Sequence, residues 1–383
     1  MKNALALILV NILIFSFPVL AQQTANADLD QDTIDNYSAF KRSISFSGLL
    51  QMRFLGSLTK NVNTGGKNFN ESSENKTLNT FLLRRARLHV KGNVNDRFST
   101  SLTINFAEFN NNPTNKVLEN AFVKYTLSKR FNIQAGQFRP FFGAEDFITS
   151  DNIRTLDYSN QYYAFGASGW QSFQIGVSVF GNLSKTDKLP LNYYFGIYNG
   201  NNKNQLSDHD NSKNVYGRLT TSPTKNLTIG VNAASGSFGS GSGNAWGADI
   251  SGKVELNKKW KFSLSGEYKQ GNNFALYNAY TIKPDLKEVK MRGLYIFPIL
   301  RYEYKHPRLR AIEFSTRYER FDADYKLNSN LRQTIIPNMT LIFADDFYAA
   351  LQGGVSIDLY KTDIPLTTTY SRNLAYLQLQ IRF

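Results

Sequence analysis

Residues 376–383 read Tyr376-Leu377-Gln378-Leu379-Gln380-Ile381-Arg382-Phe383. With Ala375 they sort by parity: Ala375, Leu377, Leu379, Ile381 and Phe383 on one set of positions, Tyr376, Gln378, Gln380 and Arg382 on the other. Successive strand side chains point to opposite faces, so this stretch is a β-ribbon with one apolar and one polar side.

The same period runs back through the chain. Ile44, Phe46, Gly48, Leu50, Met52 and Phe54 oppose Ser45, Ser47, Gln51 and Arg53; Leu82, Ala86, Leu88 and Val90 oppose Arg85, Arg87, His89 and Lys91. Further runs fall near 98–106, 118–128, 131–138, 170–181, 191–200, 213–221, 226–235, 245–256, 259–269, 292–305, 308–321, 333–343, 346–360 and 372–383. That makes about sixteen strands of roughly ten residues, the length a tilted strand needs to cross a bilayer. Connections alternate long and short, with Ser57–Asn79, Asn110–Val117, Arg139–Gly169 and Gly236–Asn244 among the long ones. Short periplasmic turns and long external loops are the pattern of an outer-membrane barrel. Backbone in hydrocarbon must be paired internally, so the sheet closes on itself. The face opposite the apolar one is polar, so the interior is read as wet, and sixteen strands leave an aqueous channel. The expected fold is an all-β, sixteen-stranded antiparallel transmembrane β-barrel over 44–383.

The N-terminus reads as a secretory signal. Lys2 precedes an apolar stretch from Ala4 to Phe17, and Val19-Leu20-Ala21 offers small residues for cleavage, giving a signal peptide over 1–21. Residues 22–43, with Asp28, Asp30, Asp32 and Asp35, are expected to form a flexible periplasmic arm. The chain has no cysteine, which removes disulfides and thiolate chemistry, and its net charge of +14 points to anionic partners. The expected location is the outer membrane of a Gram-negative bacterium, among its lipid and lipopolysaccharide.

Several segments carry a resemblance. The strongest are Arg84-Arg85-Ala86-Arg87-Leu88 with Gly92, and Gly136-Gln137-Phe138-Arg139-Pro140-Phe141-Phe142-Gly143. Weaker ones are Asn105-Phe106-Ala107-Glu108, Glu119-Asn120-Ala121-Phe122-Val123 and Gly196-Ile197-Tyr198-Asn199-Gly200. Together they resemble the phosphate-selective porin O/P family over about residues 44–220, and the closing aromatic Phe383 is similar to the end of outer-membrane barrels generally. The resemblance implies a sixteen-stranded, commonly trimeric porin whose third external loop folds inward and narrows the pore. The family's dense basic ladder is matched here only by the Arg-rich second strand and Arg139, and the third loop carries Glu145, Asp146, Asp151 and Asp157.

Selectivity in a wide pore comes from charged side chains at its constriction. Parity and loop position place Arg53, Arg85, Arg87, Lys124, Arg139 and Arg154 on its basic side, with Glu145, Asp146 and Asp151 as acids of the constricting loop. Arg85 and Arg87 stand about 7 Å apart on one strand face, a spacing over which an anion can pass between guanidiniums. Two readings stand together: these arginines select anions, or they pair with loop acids and hold the loop. Trp170, Trp246 and Trp260, with Tyr302, Tyr304, Tyr318, Tyr348 and Tyr360, are read as interfacial girdles, not as a nucleic-acid surface. Three histidines without metal spacing, and no Ser–His arrangement, predict no metal, no cofactor and no catalytic residue. The resulting expectation is passive diffusion of small polar solutes with a modest preference for anions such as phosphate. The competing class is a non-transporting barrel acting as an adhesin or anchor. Sequencing of the mature protein should find Gln22 at its N-terminus; an intact Met1 refutes the cleavage.

Overall fold

The computed structural model describes residues 42–69, 76–109, 117–184, 189–205, 207–208, 211–239 and 241–383. The signal peptide, the arm up to residue 41 and His209 lie outside the described residues. The strands are β1 Ser43–Ser57, β2 Asn79–Asn93, β3 Phe98–Asn105, β4 Leu118–Ser128, β5 Phe131–Phe138, β6 Gln174–Asn182, β7 Leu191–Tyr198 and β8 Asn214–Thr224. They continue with β9 Leu227–Ser237, β10 Ser242–Glu255, β11 Trp260–Asn272, β12 Lys290–His306, β13 Leu309–Asp322, β14 Arg332–Ile342, β15 Ala349–Tyr360 and β16 Arg372–Arg382. Each pairs antiparallel with its sequence neighbours, and β16 closes the barrel on β1 from Leu49↔Arg382 to Ser57↔Leu374. The last residue joins in: Phe383 N–H donates to Gly48 O at 3.1 Å, and Gly48 N–H to Phe383 O at 2.6 Å. Among the described residues no strand edge is left unpaired, which is what hydrocarbon demands of a sheet.

Burial follows parity with the sign of a membrane protein. On β16, Leu377 is 48% and Leu379 44% exposed, while Gln378 is 1% and Gln380 0%. The apolar outward band runs on through Val123, Val177, Ile197, Val231, Ile250, Ile296, Phe314 and Met339. Trp246 beside Tyr268 and Trp260 beside Tyr302 face outward near opposite ends of their strands, where girdles belong.

Four expectations are corrected. Gln51 pairs with Arg85 but Met52 with Leu83, so Arg84 is the extra residue of a bulge. The parity shift sends Phe81 and Leu83 outward and puts Leu82, expected on the lipid face, on the inward parity. Gly236–Asn244 is not a long loop: Ser235 pairs with Asn244, Gly236 with Gly243 and Ser237 with Ser242, so the strands run on into it. Trp170 is not in a girdle; it is fully buried and its Nε1–H donates to Asn272 O at 2.8 Å. Nor is the interior uniformly wet. Inward-facing Phe138, Tyr198, Tyr216, Ala234, Ala245 and Met291 pack with Phe142, Phe165 and Trp170 of the third loop and Phe274 beyond β11 in one apolar cluster.

The lipid face should be intolerant of charge where the lumen face is not. Ile250→Arg, near the middle of β10, should cost about 2–4 kcal/mol of folding into bilayers, and Ser251→Arg close to nothing. Denaturant titration in lipid vesicles measures both; equal costs contradict the assignment of faces.

Candidate functional site

The segment from Gly136 to Gly143 sets the third loop's path. Gly136 has φ +130°, and a Cβ there would lie 2.3 Å from Ala121 O, so only glycine brings β5 this close to β4. Next to it, Gln137 Nε2 donates to Leu118 O at 2.8 Å and Glu119 O at 3.0 Å. These carbonyls belong to an irregularity where Leu102 pairs with Ala121 but Ile104 with Leu118. Glu119 thereby reaches the lumen and accepts from Arg87 Nη2 at 2.6 Å. At the far end Gly143 has φ +106°, and a Cβ would collide with Glu267 Oε1. The loop therefore backs directly onto the buried wall pair Lys269–Glu267, 3.0 Å apart, and Ala144 N–H donates to Glu267 Oε1 at 2.8 Å.

Beyond this root the loop crosses the lumen, and the wall reads its backbone. Gln51 Nε2 donates to Ser150 O, Gln380 Nε2 to Asp151 O, Gln352 Nε2 to Ile153 O and Asn338 Nδ2 to Arg154 O. Arg53 Nη2 donates to Leu156 O and Arg317 Nη1 to Asp157 O, each at 2.5 Å. These donors stand on β1, β16, β15, β14 and β13, and satisfy carbonyls of a segment that has a single 3-10 turn at Ser150–Asn152 and no sheet partner. Ser159 then caps the short helix Asn160–Ala167, its Oγ accepting from Tyr162 N–H at 3.2 Å. Glu145 accepts from Ser159 N–H and Oγ, and Asn160 N–H donates to Glu319 Oε2.

Asp157 is the centre of charge. Its carboxylate accepts from Arg85 Nη2 at 2.6 Å, Arg84 Nε at 2.8 Å, Arg53 Nη1 at 3.4 Å and Tyr163 OH at 2.5 Å. Burial alone would push this carboxyl up, but Arg85, Arg84 and Arg53 outweigh it and hold it well below the usual carboxylate range. A depressed carboxyl contributes stability that is complete above its unfolded pKa of about 3.9 and is lost only as pH falls through the lower folded value.

The other expected residues have separate partners. Arg139 sits within the loop's own root, donating to Ile148 O at 3.1 Å and stacked on Tyr158, Tyr162 and Phe173. Arg154 bonds Glu313 at 3.3 Å and lies over the Phe347 ring. Lys124 Nζ is 5.3 Å from the centre of the Phe180 ring. Asp146 accepts from Phe142 N–H and Gln171 Nε2, and Asp151 pairs with Arg382 at 2.9 Å. A cavity of about 340 Å³ below the loop brings Arg87, Arg139, Asp146 and Asp151 together with His89, Glu119 and Arg382.

A family model described as phosphate-selective porin O and P matches residues 57–276, more than half of the chain. The chain belongs to the phosphate-selective porin O and P family. By family it is an outer-membrane porin, and family and fold point to a channel. No curated protein matches it by sequence. Among solved structures it is similar to the anion-selective porin from Comamonas acidovorans, with TM-score 0.59 and 10% identity over 90% of this chain and 100% of that one. The outer membrane channel DcaP of Acinetobacter baumannii follows with TM-score 0.55 and 11% identity over 89% and 97%. The trimer form of OmpT of Vibrio cholerae gives TM-score 0.53 and 11% identity over 89% and 99%. Identities this low speak for the fold alone.

Sequence reasoning missed the porin's central contact. Arg84 has the wrong parity for the lumen until the bulge is known, and Asp157 looks like any other loop acid. Glu119 has no role that its motif would reveal and Arg382 shows only its inward parity in the sequence; in the fold each forms a direct ion pair in the cavity lining, with Arg87 and Asp151. Asp157→Asn should loosen the loop: breaking a buried ion pair costs about 3–5 kcal/mol, here spread over three arginines. Single-channel recordings should show larger, noisier steps than wild type, and hydrogen exchange should quicken over residues 150–163. Identical traces and exchange would mean the backbone bonds alone hold the loop.

Proposed function

We propose that this porin lets small hydrophilic solutes diffuse passively across the outer membrane, with a modest preference for anions such as phosphate, and that it works as a homotrimer. The observation that carries this reading is the cavity beneath the loop, lined by Arg87, Arg139 and Arg382 together with Glu119, Asp146 and Asp151. A basic wall against acidic groups sets a transverse field across the opening, suited to small polar and anionic solutes. The preference is modest because Arg87 is paired with Glu119 and Arg382 with Asp151. Lys124 adds a cation that has no carboxylate within ion-pair distance among the described residues. The basic side of the constriction on this reading is Arg53, Arg85, Arg87, Lys124, Arg139 and Arg154. The resemblance in fold to an anion-selective porin and to a trimeric one supports the preference and the assembly.

The second reading, an adhesin or anchor that conducts nothing, draws on the apolar cluster that the loop forms with β5, β7, β8, β9, β10 and β12. Planar-bilayer conductance separates the two: steady steps for a channel, silence for an anchor. In a salt gradient, Arg85→Gln with Arg87→Gln should move the reversal potential toward non-selectivity. An unchanged potential removes these arginines from the selectivity filter.

A further inference from the structure

The short turns mark the periplasmic end of the barrel, and three neighbouring ones are strongly basic. Lys225 lies between β8 and β9, Lys258 and Lys259 between β10 and β11, and Lys305 and Arg308 at the junction of β12 and β13; all five are exposed. The turns are stitched together by backbone bonds, Lys253 N–H to Asn226 O at 2.9 Å and Glu303 N–H to Lys259 O at 2.7 Å, so the cations share one rigid edge. None of the five has an ion pair among the described residues, whereas nearby carboxylates are engaged elsewhere, Glu255 with Lys261 and Asp345 with Arg310.

The aromatic side chains beside this edge face lipid rather than the lumen. Trp260 and Tyr302 pack with ring centroids 4.9 Å apart on the outward face, Tyr304 stands 6.3 Å beyond Tyr302, and Lys259 Nζ lies over the Tyr302 ring at 5.9 Å. On the inward parity of the same strands, the cations are already neutralised: Lys261 by Glu303 at 3.2 Å and Arg301 by Glu313 at 3.0 Å. An aromatic belt at headgroup depth, with free cations one step further into the water, is the arrangement that anionic headgroups recognise.

We propose that Lys225, Lys258, Lys259, Lys305 and Arg308, with Trp260, Tyr302 and Tyr304, form a docking surface for anionic phospholipid headgroups of the periplasmic leaflet. The phosphates bind the ammonium and guanidinium groups while the acyl chains lie along the apolar face of β9 to β13. The test is native mass spectrometry of the full mature protein released from detergent with phosphatidylglycerol or phosphatidylcholine. Wild type should retain phosphatidylglycerol several-fold better, and the preference should shrink as salt rises. Lys225→Gln, Lys258→Gln, Lys259→Gln, Lys305→Gln and Arg308→Gln combined should abolish the preference. Lys67→Gln, Lys283→Gln, Lys287→Gln and Lys361→Gln on the external loops should preserve it. If the five-fold variant does not fold, judged by its heat-modifiable gel mobility, Lys258→Gln with Lys259→Gln should still halve the preference. Equal retention by wild type and patch variant overturns the proposal, as does equal loss in the external-loop variant, which would reduce the effect to net charge. Binding to isolated peptidoglycan without any phospholipid preference assigns the patch to another partner and overturns it as well.

Discussion

A carboxylate shut away from bulk water has to be neutralised by what surrounds it, and Asp157 meets Arg53, Arg84 and Arg85 at once. Three like charges brought this close would repel one another without it, so wall and loop are each incomplete alone. The wall supplies excess positive charge on β1 and β2; the loop supplies, in Asp157, a carboxylate that makes that excess tolerable. Everything else about the lumen follows from the loop being held there. The space left over is the cavity below it, where Arg87, Glu119 and Arg382 of the wall meet Arg139, Asp146 and Asp151 of the loop.

The loop is held by more than charge. Its carbonyls are read by Gln and Asn side chains on consecutive strands, and its aromatic residues Phe142, Phe165 and Trp170 pack on Tyr198 and Tyr216. Apolar burial is non-directional, so by itself it would let the loop slide. The amide side chains and the shared carboxylate are directional and specify one register. A lumen that is wet on one side and packed with aromatics on the other is what such a division of labour produces.

How much of this could be read in advance depends on distance along the chain. Strand positions, lining parity and barrel closure are local properties of period two, visible in runs such as Leu377-Gln378-Leu379-Gln380. A bulge is one inserted residue with no signature of its own, so Arg84 could not be placed, and with it the parity of Leu82. Glycines suggest loops, but Gly236 and Gly243 pair across a hairpin instead, because the strands can approach closely there. Trp170 reads as interfacial on composition, while its actual partner, the Asn272 carbonyl, lies about a hundred residues away. The inward fold of the third loop came from family resemblance; the residues that hold it, Asp157 foremost, are long-range pairings that periodicity cannot express.

Net charge illustrates the same limit. A chain at +14 suggests an anion-attracting pore, yet many lumenal cations have a carboxylate beside them: Arg218 with Asp249, Arg317 with Glu319, Arg332 and Arg372 with Asp358. Paired charges at a few ångströms cancel beyond roughly one Debye length, about 8 Å at physiological salt, so they shape the local field without giving the pore a large net potential. The unpaired positive charge on the basic turns instead lies outside the lumen, at the barrel's rim. Composition therefore overstates the unpaired positive charge of the interior, where Lys124 is a cation with no carboxylate within ion-pair distance among the described residues.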